Sequence, residues 1–450
     1  MSSEFQEVIF DEFIELASEK VPVESLTLET YISTENMIPN KGGIEVASSL
    51  PNSKTVNKFV KGDTLFSNIR TYFEKVHFAD FSGGASPDVL IFRTKSAQKL
   101  LPEYLYYIAS NKDFIDFTVR TSKGAKMPRG DKGAIQGHKL LLPPLSTQQR
   151  ISDILRTLDK KITLNRQINQ TLEAMAQAMF KSWFVDFEPV KAKMQALENS
   201  GTEDDANLAA MQAISGKTAD QLATLKTQHP DQYQQLHHTA SLFPSAMQDS
   251  ELGEIPAGWE VKSLDTMAHY QNGLALQKFR PEDENDFLPV VKIAQLKKGF
   301  TDGEEKASPN INPSCIIDDG DVVFSWSGTL VVDSWCGGKA ALNQHLFKVT
   351  SDDHPKWFYY YFTKHHLDEF QRIAQAKAVT MGHIKREHLK KALCAVPDSD
   401  LIAHLGQTIK PLLDKAVAVR LENRTLTELR DTLLPKLLSG ELQISTEDVA

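Results

Sequence analysis

The chain predicts an α+β fold with a pseudo-two-fold internal repeat: two globular α/β-type domains separated by a long antiparallel two-helix coiled coil. Three observations carry this. Residue patterns recur at nearly one offset, strand-like and helix-like patterns mix within each half, and each half ends in a long apolar heptad row.

The repeat comes first. Met127 and Met381 stand 254 residues apart, as do Pro143 and Pro397, and Asn169-Gln170-Thr171-Leu172 and Asn423-Arg424-Thr425-Leu426. Leu105-Tyr106-Tyr107 aligns with Tyr359-Tyr360-Tyr361, and Gly83-Gly84 with Gly337-Gly338. Gly62-Asp63 with Phe66-Ser67 returns as Gly320-Asp321 with Phe324-Ser325 at an offset of 258. Within each half, short runs such as Thr64-Leu65-Phe66 and Val322-Val323-Phe324, punctuated by Gly and Pro, read as strands. An aromatic helix follows, around 102–110 and 355–365.

The first long helix follows Pro143-Pro144, with Ser146 and Gln149 spaced as a capping box. Its core row is Ile151, Leu158, Asn165, Leu172 and Met179, with Ile154, Ile162, Ile168 and Met175 beside it. Glu188-Pro189 predicts its end, since proline disfavours helix at the preceding residue. The second helix carries Leu405, Leu412, Val419, Leu426 and Leu433 on the matching row and stops at Gly440; Pro435 predicts a kink or an end one turn early. Helices of about 40 residues are about 60 Å long. Paired antiparallel, they would put one domain at each end of a rod, a molecular ruler. Asn165 on the core row predicts a fixed register. The resulting division is 1–145 first domain, 146–189 central helix, 190–252 linker or short helical spacer, 253–398 second domain, 399–440 C-terminal helix and 441–450 tail.

At 450 residues, with 41% hydrophobic and 24% charged side chains, the composition excludes a disordered chain. There is no apolar run of membrane-spanning length, and Glu4 and Glu7 stand where a signal peptide carries positive charge. Cys315, Cys336 and Cys394 cannot build a disulfide framework, so a cytoplasmic location is expected. Net charge is −9, against a nucleic-acid partner if taken whole. It is unevenly spread: residues 1–53 hold 2 basic and 10 acidic side chains, residues 54–146 hold 15 and 8, and 371–396 holds six basic residues against Glu387.

The catalytic motifs sought are missing. There is no Gly-x-Gly-x-x-Gly, and Ser215-Gly216-Lys217-Thr218 lacks the first glycine of a phosphate loop. The pairs His237-His238 and His365-His366 lack zinc-protease spacing, and no Cys-x-x-Cys exists. No catalytic and no metal residue is assigned.

Four motifs then converge. Leu142-Pro143-Pro144-Leu145-Ser146-Thr147-Gln148-Gln149-Arg150-Ile151 opens the first helix and Trp183-Phe184-Val185-Asp186-Phe187-Glu188-Pro189-Val190 closes it. Gly253-Glu254-Ile255-Pro256-Ala257-Gly258-Trp259-Glu260 begins the second half, and Leu434-Pro435-Lys436-Leu437-Leu438-Ser439-Gly440-Glu441 ends it. With these motifs the chain resembles the specificity subunit of Type I restriction–modification systems over essentially its whole length. The first half departs from the pattern in lacking a Pro-x-Gly-Trp opening.

The resemblance implies a non-catalytic, sequence-specific DNA-binding subunit. Each globular half would be a target-recognition domain reading one half of a bipartite asymmetric site on double-stranded DNA. The helices would dock two methyltransferase subunits, and restriction/translocase subunits through them. No cofactor is then expected on this chain; S-adenosylmethionine, ATP and Mg would belong to the partners. Two other readings stay open: a DNA methyltransferase or nuclease with drifted motifs, and a protein-binding coiled-coil scaffold.

Base edges are read by Arg or Lys at guanine, Asn or Gln at adenine, and Ser or Thr at either. The first half offers Ser67, Asn68 and Arg70 after its Gly-Asp turn, and Lys123, Lys126, Arg129 and Lys132 in a glycine-rich loop. The second offers Ser325, Ser327, Thr329, Asn343, Gln344, His345, Lys377, Thr380, His383, Lys385 and Arg386.

Overall fold

Alternating apolar residues in Lys139–Leu142 and Leu393–Val396 each find a partner strand far back in the chain. Gln6–Ile9 runs antiparallel to the first, Gln6 opposite Leu142; Glu260–Ser263 runs antiparallel to the second, Glu260 opposite Val396. Each ribbon ties the start of a globular half to its last strand, just before a long helix. The computed structural model describes residues 5–301, 303–376 and 382–443, which fall into two contact-defined units. One unit comprises residues up to 163 with those from 425 onward, and the other residues 164–424.

Both units repeat one antiparallel four-stranded sheet. In the first its order is Ile14–Leu16, Val89–Thr94, Thr64–Ser67, Val76–Phe78; in the second it is His269–Asn272, Leu346–Thr350, Val322–Ser325, Val332–Ser334. Two helices follow in each, Pro102–Ser110 with Lys112–Arg120, and Lys356–His365 with Leu367–Ala376. Aromatic side chains fill the space beneath. Phe66 meets Phe114 at 5.8 Å between ring centroids in the first unit, and Phe324 meets Phe370 at 5.8 Å in the second. A second sheet shares three strands between the units but adds its fourth on opposite edges: Lys20–Pro22 beside Thr55–Phe59 in one, Lys306–Ala307 beside Leu288–Val291 in the other. Gly83 in that sheet admits no side chain, since a Cβ there would lie 2.1 Å from the Thr30 carbonyl oxygen.

The long helices are Leu145–Phe184 and Ser399–Ser439. In the first unit Ile151 and Leu155 share a core with Leu434, Leu437 and Leu438; in the second Ala176, Phe180 and Trp183 share one with Leu401, Leu405 and Ile409. Asp159 meets Arg430 within the first unit and Asn165 meets Glu422 within the second, so in each unit the numbering rises on one helix as it falls on the other and the packing is antiparallel. Of the row expected to form the seam, Ile151, Asn165, Leu405 and Val419 are buried, while Leu158, Leu172, Met179, Leu412, Leu426 and Leu433 are half-buried. Gln148, Leu155, Ile162, Ala176 and Trp183 form the deeper row. Steps of three and four residues alternate along a heptad seam. That places Leu155 and Ile162 inside and leaves the expected Met175 exposed.

Several local expectations need correction. The capping box at Ser146 does not form, because the helix starts one residue earlier and the Thr147 and Gln148 amides donate to the Pro144 carbonyl. Gln148, rather than Gln149, turns inward: it donates to the Lys99 and Pro143 carbonyls and accepts from the Leu101 amide. Pro189 opens a new helix, Glu188–Glu198, after a break at Phe187 with φ of 55°. A proline in the first helical turn forfeits no intrahelical hydrogen bond. Pro435 neither ends nor shortens the second helix, which reaches Ser439 before Gly440 at φ 73°. Its cost of about 3 kcal/mol is offset by burial of Leu434, Leu437 and Leu438, each about 1.5–3 kcal/mol.

Residues 188–241 form four helices, Glu188–Glu198, Glu203–Ser215, Ala219–Gln228 and Pro230–Ser241, around Ala210, Met211, Leu222 and Ala240. The phosphate-loop lookalike is only a helix junction here. Gly216 closes one helix at φ 66° and Thr218 caps the next. Trp259, after the Gly258 turn, packs among Phe184, Phe187 and Phe243, so two of the four motifs meet in one aromatic cluster.

Candidate nucleic-acid interface

In the first unit, the chain leaving strand Thr64–Ser67 turns through Arg70, at φ 50°, into a 3-10 turn, Thr71–Phe73. Three backbone hydrogen bonds fix this loop. The Asn68 amide donates to Asp88 at 2.8 Å, the Arg70 amide to Pro128 at 2.8 Å, and the Gly130 amide to Asn68 at 3.1 Å. The glycine-rich loop is closed as a hairpin by reciprocal bonds of 2.9 Å between Lys123 and Arg129. Sequence segments around 67–70, 88 and 123–132 thus become one surface.

Its side chains divide by burial. Lys123, Lys126, Arg129 and Lys132 are exposed and Arg70 is half-buried. Arg129 Nη2 lies 2.9 Å from Asp88 Oδ1, and Arg70 reaches the Lys126 carbonyl at 3.5 Å. Lys123 pairs with Asp131, which also accepts from the Gly133 and Ala134 amides and so caps the helix Lys132–Gln136. The Lys123 ammonium first, then those amides, hold the Asp131 carboxyl below the usual range. Ser67 and Asn68 are buried inside the loop, the Ser67 hydroxyl donating to the Ile69 carbonyl. They support the loop and do not present groups to solvent.

The second unit builds the corresponding surface. The Trp326 amide donates to His345 at 3.3 Å, the Gly328 amide to Gly382 at 2.8 Å, and the Ile384 amide to Trp326 at 2.9 Å. Ser325, Ser327 and Asn343 are buried and serve this framework. Ser325 Oγ donates to the Thr329 carbonyl and accepts from the Val331 amide, both at 2.7 Å, and Ser327 Oγ lies 2.9 Å from His345 Nδ1. Asn343 Oδ1 accepts from the His345 amide. Thr329 and Lys385 are exposed; Gln344, His345 and His383 are half-buried. Arg386, though exposed, donates to the Tyr270 carbonyl at 3.0 Å and stacks 5.6 Å over Phe347, which engages its guanidinium with the protein. Lys377 and Thr380 lie outside the described residues.

Sequence reasoning passed over three features of these surfaces. Asp88 holds Arg129 at 2.9 Å and is brought to this surface by the Asn68 amide. Trp326, between Ser325 and Ser327, has its ring 5.7 Å from that of His345 at a tilt and 6.4 Å from that of His383 edge to face. Tyr72 and Phe73 form an exposed aromatic pair beside Arg70, their rings 4.7 Å apart. Exposed planar rings offer faces on which bases stack. Among the described residues no group of three or more His, Cys, Asp or Glu side chains is placed to hold a metal ion, and no helix is long and apolar enough to cross a membrane.

Known proteins resemble this chain in sequence and in fold. The family model described as the Type I restriction modification DNA specificity domain matches residues 3–174 and again residues 256–429. The Type I restriction enzyme HindI specificity subunit of Haemophilus influenzae is 30% identical over 435 residues, covering 92% of this chain and 94% of that one. The MjaIX specificity subunit of Methanocaldococcus jannaschii is 23% identical over 364 residues, 77% of this chain and 70% of its own. A crystal structure of a Type I restriction–modification S subunit from M. genitalium superposes with a TM-score of 0.51 at 12% identity, over 99% of this chain and 98% of that one, a likeness of fold.

Proposed function

Because this chain belongs to the Type I restriction–modification DNA specificity family, as a non-catalytic subunit that recognises a DNA target, we propose a specific division of labour within it. Each globular half reads one half of a bipartite, asymmetric duplex site, and the paired helices hold the two at a set spacing. The observation that carries this is the duplicated loop surface, presented by the same backbone hydrogen bonds in both units but lined with different side chains. Two copies of one scaffold with unlike surfaces suit a site whose halves differ. Exposed Lys123, Lys126 and Lys132 supply phosphate attraction, which positions the protein without specifying sequence.

The helices and the aromatic cluster around Trp259 serve, in this reading, as the platform for two methyltransferase subunits, through which restriction/translocase subunits join. S-adenosylmethionine, ATP and Mg act on those partners, and the assembly works in the cytoplasm. Co-expression with the cognate methyltransferase tests both parts. The expected product is one copy of this chain with two methyltransferase copies, whose duplex DNA affinity falls steeply with salt. A chain that stays unassembled, or salt-independent binding, contradicts the proposal.

Lengthening both helices by one heptad tests the spacing. The methylated motif should keep both half-sites and change only the spacer between them. An unaltered spacer rejects the ruler.

A further inference from the structure

We propose that Asp88 and Arg129 in the first unit, and His345 and His383 at the equivalent places in the second, set the identity of one base pair in each half-site. The proposal rests on the DNA-reading role above and names the residues that make the halves differ. Equivalence is fixed by backbone pairing. Arg129 bridges Ile69 as His383 bridges Ser327, and the carbonyls of Asp88 and His345 accept the amides of Asn68 and Trp326.

The chemistry at these places is unlike. Arg129 is held from behind by the reciprocal Lys123 hairpin bonds and from the side by Asp88. A guanidinium carries five N–H donors. The Asp88 contact occupies one edge and leaves a two-pronged edge free to reach guanine O6 and N7. Asp88 is therefore a positioning residue for Arg129. In the second unit His345 is oriented by Ser327 and by the Trp326 ring, and His383 lies against the same indole. An imidazole nitrogen donates or accepts singly, so this place does not reproduce the fork that selects guanine.

Exchange of the pairs in the full chain, expressed with its methyltransferase in cells, tests this by mapping methylated motifs. Asp88→His with Arg129→His should erase a guanine preference at one base pair of one half-site, by about 5- to 150-fold, and leave the other half-site intact. His345→Asp with His383→Arg should create a guanine preference in the opposite half-site. Arg129→Ala, a single exposed change that removes the fork altogether, should also lose the guanine preference. An unchanged motif in these variants, or uniform weakening at every site, overturns the proposal. Failure of the underlying DNA-reading role would be seen separately, as a methylation map that ignores deletion of the whole chain.

Discussion

Asn165 Nδ2 donates to Glu422 Oε2 at 2.8 Å across the helix pair of the second unit, from a position only 1% exposed. A polar side chain at a seam position fixes which residues lie opposite one another, at some cost in stability. Asn165→Asp would place a carboxylate against Glu422. The expected loss is about 1–3 kcal/mol, read by denaturant unfolding at neutral pH. Unchanged stability would remove Asn165 from the pairing.

In the first unit Arg430, 4% exposed, lies 3.0 Å from Asp159, which also accepts from the Tyr107 hydroxyl at 3.0 Å. Breaking such a pair strands a buried charge, whereas replacing both partners with apolar groups costs far less. Asp159→Asn leaves Arg430 with Asp431, 2.9 Å away, as its remaining ion-pair partner, and should destabilise by about 1–3 kcal/mol. Combining Arg430→Met with Asp159→Leu should recover most of that. Additive losses in the double variant would show that the pair acts as two independent contacts.

Burial first, and then the neighbouring His365 ring, hold the His366 imidazole down to about 4. His366 Nε2 lies 3.2 Å from the Leu393 carbonyl, at the strand that closes the second globular half. An unfolded histidine titrates near 6.5, so folding here favours the neutral ring. The associated stability is present above about pH 6.5 and is lost as pH falls from there through 4. Burial lowers His354 and His365 as well, in the same sense. Thermal unfolding at pH 7.5, 6 and 5 should show a falling midpoint, with a shallower fall in His366→Gln. Equal slopes in the two proteins would contradict this.

The repeat and the long helices were legible because they depend on local spacing that recurs: the 254-residue offset aligns Gln6–Ile9 with Glu260–Ser263 and Leu145 with Ser399. The surface chemistry was less so. Ser67, Ser325 and Asn343 have the polarity of base readers, yet burial commits them to their own loops, and burial depends on strands far away in sequence. Asp88 and Trp326 were passed over for the converse reason: only the backbone bonds from Asn68 to Asp88 and from Trp326 to His345 bring them to the surface in question. At Pro189 a local rule read a helix stop where the fold begins a new helix, because the chain had already broken at Phe187.

Leu155 is fully buried whereas Leu158 is half-buried. Leu155→Ala should cost about 2–5 kcal/mol and Leu158→Ala distinctly less, measured by chemical denaturation. Reversal of that order would move the seam to the other row.

Genome-wide mapping of methylated adenines and cytosines in the host, with the chain present, deleted and restored, reads out whether this chain selects the DNA target. The expected result is one asymmetric motif, two short half-sites around a fixed spacer, that disappears on deletion and returns on restoration. A methylation pattern that persists unchanged without the chain would contradict it.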